Sequence, residues 1–96
     1  MDWNYIKSFL AIAETGSLEL AAQKIRVSTT TIFRHVHALE NQTGARLFDR
    51  IRGQYSLTDA GTEMLAPARQ IMNNFEIIST NLSGADALPA GLARIT

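Results

Sequence analysis

Two short capped helical segments about a three-residue turn, a basic hairpin directly after them and a long heptad seam near the C-terminal end predict the fold class. The fold is mainly α: a winged helix-turn-helix with a short β-hairpin wing and a long C-terminal linker (dimerisation) helix. Ser17-Leu18-Glu19-Leu20-Ala21-Ala22-Gln23-Lys24-Ile25 supplies the first helix of the pair, and Arg26-Val27-Ser28 the turn. Thr29 to Thr43 supplies the second, ending at Gly44. Leu47-Phe48 and Tyr55-Ser56-Leu57 then flank a basic tip, Ile51-Arg52-Gly53-Gln54.

Each element has a local cause. Ile6, Phe9, Leu10 and Ala13 fall at i, i+3, i+4 and i+7, with Trp3 one turn earlier, so residues 3 to 14 form a first helix with one buried face. Gly16 ends it by taking positive φ. Ser17 caps the next helix, whose Leu18, Ala21, Ala22 and Ile25 face the core. The Ala21-Ala22 pair either permits close helix approach or simply favours helix. Ser28 caps the following helix, and its Ile32, Val36 and Leu39 point inward. Thr30, Arg34, His37 and Asn41 take the opposite side, with Phe33 beside them. Phe33 is open to two readings, a flank partly buried in its own domain or an apolar contact with thymine methyls in a major groove.

Gly53 turns the hairpin, and its strands are too short to be anything else. Thr58 caps the last helix, with Asp59 in the first turn where the helix dipole favours a negative charge. Met64, Ala68, Ile71, Phe75, Ile78 and Leu82 follow at alternating spacings of four and three, a heptad seam. Such a seam in a small chain points to pairing between two chains, while its first turns could pack on their own domain. Pro67 predicts a bend near residues 63 to 67, since an interior proline costs roughly 3 kcal/mol. Residues 83 to 91 read as a linker, and Leu92 to Thr96 as the start of a strand.

Composition sets the bounds. A chain of 96 residues has room for one small domain, and an apolar fraction of 46% is ordinary for a globular chain, not a disordered one. No apolar run approaches the ~18 residues of a membrane span, and Asp2, Lys7 and Glu14 interrupt any signal-peptide pattern. Zero cysteines exclude disulfides and thiolate metal sites, so a cytoplasmic location is expected. The net charge is zero, but it is unevenly distributed. Between Gln23 and Gln54, six cations (Lys24, Arg26, Arg34, Arg46, Arg50 and Arg52) face two acids, Glu40 and Asp49. That local excess suits a phosphate-binding face, or it is a solvated surface.

Taken in order, these residues resemble the amino-terminal domain of LysR-type bacterial transcriptional regulators over about residues 2 to 96. The carriers are Phe9 with Ala13-Glu14-Thr15-Gly16-Ser17, Ala21-Ala22, Val27-Ser28 and Leu39-Glu40. Gly44, Leu47-Phe48-Asp49-Arg50 and Leu57-Thr58-Asp59-Ala60-Gly61 complete the set. The resemblance implies a DNA-binding domain at residues 1–57 and a dimerising linker helix at 58–83. It also implies that 84–96 is a hinge and the start of an effector-binding domain missing from this chain. Small effectors would act only through that domain, and a tetramer is possible at full length. The sequence departs from the family in two places. Ser28-Thr29-Thr30-Thr31 stands where Ser-Gln-Pro or Ser-Gln-Ser is common, and Phe33 where a small polar residue is usual.

By wheel position and resemblance, Thr29, Thr30, Phe33, Arg34 and His37 are the candidates for base or groove contact, with Arg34 matched to guanine. Ser28, Thr31, Arg50, Arg52 and Gln54 would hold the backbone and the wing groove. A dimer joined through Met64, Ala68, Ile71, Phe75, Ile78 and Leu82 would present two recognition helices to an interrupted inverted repeat. An enzyme is not expected, nor a metal or a cofactor. His35 and His37 lie about 200° apart on a helix and cannot share an ion. The alternative function is a helical protein-interaction module in which the helix-turn-helix is only structural.

Overall fold

The computed structural model describes residues 2 to 86, and the expected strand at Leu92 to Thr96 lies outside them. Among the described residues the order is α1 (Trp3–Thr15), α2 (Leu18–Ile25), α3 (Thr29–Thr43), β1 (Phe48–Ile51), β2 (Gln54–Leu57) and α4 (Asp59–Asp86). Capping residues set most of these boundaries. Asp2 accepts a hydrogen bond from the Asn4 amide at 2.9 Å, and Gly16 closes α1 at φ 71°, donating to Ile12. Ser17 accepts from the Leu20 amide at 3.1 Å, and Ser28 from the Thr31 amide at 3.1 Å. Thr58 accepts from the Gly61 amide at 3.1 Å and so starts α4. Each cap satisfies an amide that the first turn would otherwise leave unpaired.

The core is one cluster with α1 at its centre. Phe9, Ile12, Ile32 and Leu39 are fully buried, and Ala21 and Ala22 let α2 sit close against them. Phe48 of the wing reaches the same cluster, its ring 5.3 Å from that of Phe9. The wing is therefore anchored by apolar burial, not only by its own ladder. Strand β1 pairs antiparallel with β2, Phe48 opposite Leu57 and Ile51 opposite Gln54. Gly61 marks a tight approach, because a Cβ there would stand 2.2 Å from the Leu47 carbonyl oxygen. No side chain fits between the first turn of α4 and the start of the wing.

Helix α4 departs from the sequence expectations in two ways. First, Ala68 is 2% exposed and belongs to the core of its own chain, with Met64 packed beside it. Ala68 thereby leaves the interchain seam, because a buried side chain has no surface left for a partner, whereas Met64 is only half-buried. Secondly, α4 continues through Asp86, so residues 83 to 86 are helical and not linker. Gly84 costs a helix only about 1 kcal/mol relative to Ala, too little to end it. Pro67 lies within this continuous helix. The lost hydrogen bond is to the Glu63 carbonyl, and both residues are exposed, where water can replace it.

Candidate nucleic-acid interface

Helix α3 divides into two faces. Ile32, Val36 and Leu39 are buried, while Thr29, Thr30, Phe33, Arg34, His37 and Asn41 are exposed. Phe33 is 40% exposed and its ring sits 4.3 Å from that of His37 at 55°. The aromatic pair lies one helical turn apart on the outward face. At the start of the helix, Ser28 also donates to Thr31 Oγ1 at 2.9 Å. The Ser28 hydroxyl is thus committed to the cap, and Thr31 keeps the free hydroxyl proton.

The wing turns on Arg52 and Gly53, both at positive φ, 54° and 78°. Two successive left-handed residues make the type I′ turn whose twist matches a hairpin. Arg50 pairs with Tyr55 across the ladder and its guanidinium lies 5.2 Å from the Tyr55 ring centroid. Such a contact restrains a long cation at small cost. Arg52 and Gln54 are exposed at the tip.

Ion pairs sort the basic stretch. Lys24 is bonded to Glu14, and Arg46 to Asp49 at 3.0 Å. Asp49 was the one acid within reach of Arg50 and Arg52 in sequence, and it serves Arg46 instead. Among the described residues, Arg26, Arg34, Arg50 and Arg52 have no carboxylate partner. The other acid of the stretch, Glu40, is also occupied: it accepts the Leu47 amide at 2.8 Å. Four guanidinium groups remain for an external anion.

Phe33, His37 and Arg50 line one cleft of about 280 Å³ between α3 and the wing. Arg34 and Asn41 line a second, open depression on the other flank of Phe33. Arg52 and Gln54 line neither and extend beyond the cleft at the tip. The sequence counted Glu40 and Arg46 in the charge balance of this stretch but gave neither a role in the cleft. Tyr55 was also missed, and its buried hydroxyl has no protein partner among the described residues. The histidines separate as the helical wheel requires. His35 is half-buried and shares a 2.8 Å hydrogen bond with the buried Ser8, whereas His37 is exposed. Among the described residues no group of three or more His, Asp or Glu side chains could hold a metal, and no helix is long and apolar enough to cross a membrane.

Comparison with known proteins agrees with this geometry. Residues 3–62 match the family described as bacterial regulatory helix-turn-helix protein, lysR family. The chain is 33% identical over 95 residues to the HTH-type transcriptional regulator ClcR of Pseudomonas putida, covering 99% of this chain and 32% of that one. It is 40% identical over 70 residues to the transcriptional activator AllS of Klebsiella pneumoniae, covering 73% and 26%. The chain thus spans a third or less of these two relatives. Among solved structures it resembles the DNA-binding domain of CbnR in complex with DNA. The TM-score is 0.77 at 36% identity, over 91% of this chain and 99% of that one. An OxyR mutant of Corynebacterium glutamicum superposes with a TM-score of 0.84 at 26% identity, over 88% and 27%. With its capped helix pair, hairpin wing and matched residues 3–62, the chain belongs to the lysR family of bacterial regulatory helix-turn-helix proteins.

Proposed function

We propose that this chain reads double-stranded DNA as a homodimer, with α3 in the major groove and the wing on the backbone, and regulates transcription from that site. One observation carries the reading: Arg50 of the wing and the outward aromatic pair of α3 share a cleft, with Arg34 alongside and neither arginine neutralised. A charged, unpaired and partly restrained surface supplies phosphate contacts, and an exposed helix face supplies base contacts. Thr29, Thr30, Phe33, Arg34 and His37 take the base-edge role. Thr31, Arg50, Arg52 and Gln54 hold phosphates and the wing groove, and Ser28 serves the same contact by orienting the Thr31 hydroxyl. Likeness in fold and sequence to the CbnR domain solved with DNA supports the reading that this domain binds DNA.

Dimerisation uses the part of α4 beyond the domain. Ile71, Phe75, Ile78 and Leu82 are all 46% exposed or more, and they continue the heptad seam past its buried start. Two copies joined there would present two α3 helices to half-sites about one helical turn apart, or a multiple of it. In the whole protein, a small effector acting through a further domain and a tetramer are part of the same proposal, as is a cytoplasmic location. A protein-interaction module with an inert helix-turn-helix accounts for the exposed stripe on α4 but leaves the unpaired arginines without a role.

Binding-site selection from a pool of random duplexes tests the proposal. Enrichment of an interrupted inverted repeat is expected. A pool that never rises above background after repeated rounds would exclude it.

A further inference from the structure

This inference rests on the DNA-reading proposal and concerns what one residue recognises. Phe33 is the large apolar side chain that α3 leaves exposed. Its neighbours on that face, Thr30, Arg34, His37 and Asn41, all carry hydrogen-bonding groups, whereas a phenyl ring has none to offer a base edge. The ring is also restrained: the His37 imidazole stands 4.3 Å away, tilted 55°. Phe33 thus forms a small apolar plate, braced from one turn further along the helix.

The major groove offers one apolar group for such a plate, the methyl on C5 of thymine. Uracil carries hydrogen there, and so does cytosine. When cytosine is methylated on C5, it presents the same methyl at the same ring position. We infer that Phe33, positioned by His37, reads a pyrimidine C5-methyl group in each half-site. The position therefore accepts thymine or 5-methylcytosine and discriminates against their unmethylated counterparts. Where the site holds a C·G pair at this step, C5 methylation of the cytosine strengthens binding. Packing of the ring against a sugar would give no such dependence, because the sugar is the same beside every base.

The test starts from the duplex selected with the unmodified chain. Each thymine is replaced singly by deoxyuridine, and affinity is read by fluorescence anisotropy at fixed salt. One thymine per half-site should show a loss of about four-fold, the worth of one methyl taken out of water. At the same step, a 5-methylcytosine duplex should bind more tightly than the cytosine duplex by about the same factor. Phe33→Ala should bring both ratios to one, and Phe33→Leu should keep them above one. His37→Ala should lower both ratios, and His37→Phe should restore them. Circular dichroism should be unchanged for the Phe33 variants, since the side chain is outside the core. Equal binding of all uracil and thymine duplexes by the unmodified chain overturns the inference and leaves the DNA-reading proposal standing. So does a Phe33→Ala chain that keeps the same ratios. A selection that yields no motif overturns the DNA-reading proposal and this inference together.

Discussion

The Glu40 carboxylate accepts the Leu47 amide at 2.8 Å, tying the last turns of α3 to the residue from which the wing begins. Leu47 is 2% exposed, so water cannot readily replace the carboxylate. Leaving a buried amide without a partner costs about 1–3 kcal/mol. Glu40→Ala should therefore lower the midpoint of thermal unfolding by several degrees, whereas Glu40→Gln, which keeps an acceptor oxygen, should lose far less. Calorimetry on the two variants checks this. Equal loss in both would mean that charge, not the acceptor, matters here.

Dimerisation is best probed away from the domain. Phe75 lies against Trp3, ring centroids 4.5 Å apart, so replacing it would disturb both the seam and the packing of α1 on α4. Ile71 and Ile78 are exposed at 46% and 55%. Burying an Ile is worth roughly 1.5–3 kcal/mol, and a two-fold axis counts each position twice. Ile71→Asp with Ile78→Asp should give a folded monomer by sedimentation velocity, while the unmodified chain sediments as a dimer at tens of micromolar.

Arg34 stands on the second turn of α3, exposed and without an acidic partner among the described residues. Lysine keeps its charge but loses the planar fork that matches guanine O6 and N7. Arg34→Lys should relax discrimination at one base pair per half-site by about 1–3 kcal/mol. Repeating the site selection with the variant checks it; recovery of the parental motif at every position would show that Arg34 reads no base.

Helix limits were largely legible in the sequence because capping is local. Ser17, Ser28 and Thr58 each bond to an amide three residues on, and Gly16 and Gly44 take the left-handed conformation at helix ends. The buried stripe of α3 was equally legible, since Ile32, Val36 and Leu39 follow the helical period. Three things were not. Contacts such as Ser8 with His35, 27 residues apart, leave no periodic trace. The choice of Asp49 for Arg46 over Arg50 depends on strand geometry, which composition does not encode. A heptad spacing is also blind to whether its partner is the same chain or another, and so it included Ala68, which its own core covers.

The most direct measurement of the central claim is the salt dependence of duplex binding, with and without the wing arginines. Counterion release makes log affinity fall linearly with log salt, by about 0.9 for each phosphate neutralised. Arg50 and Arg52 are exposed and unpaired among the described residues. The unmodified chain should lose affinity steeply between 50 and 200 mM salt, of order 10³-fold if six phosphates are contacted. Arg50→Ala with Arg52→Ala should flatten the slope by about 1–2 and weaken specific and non-specific duplexes alike. A flat salt dependence of the unmodified chain, or a slope that the double variant leaves unchanged, would contradict DNA binding through this surface.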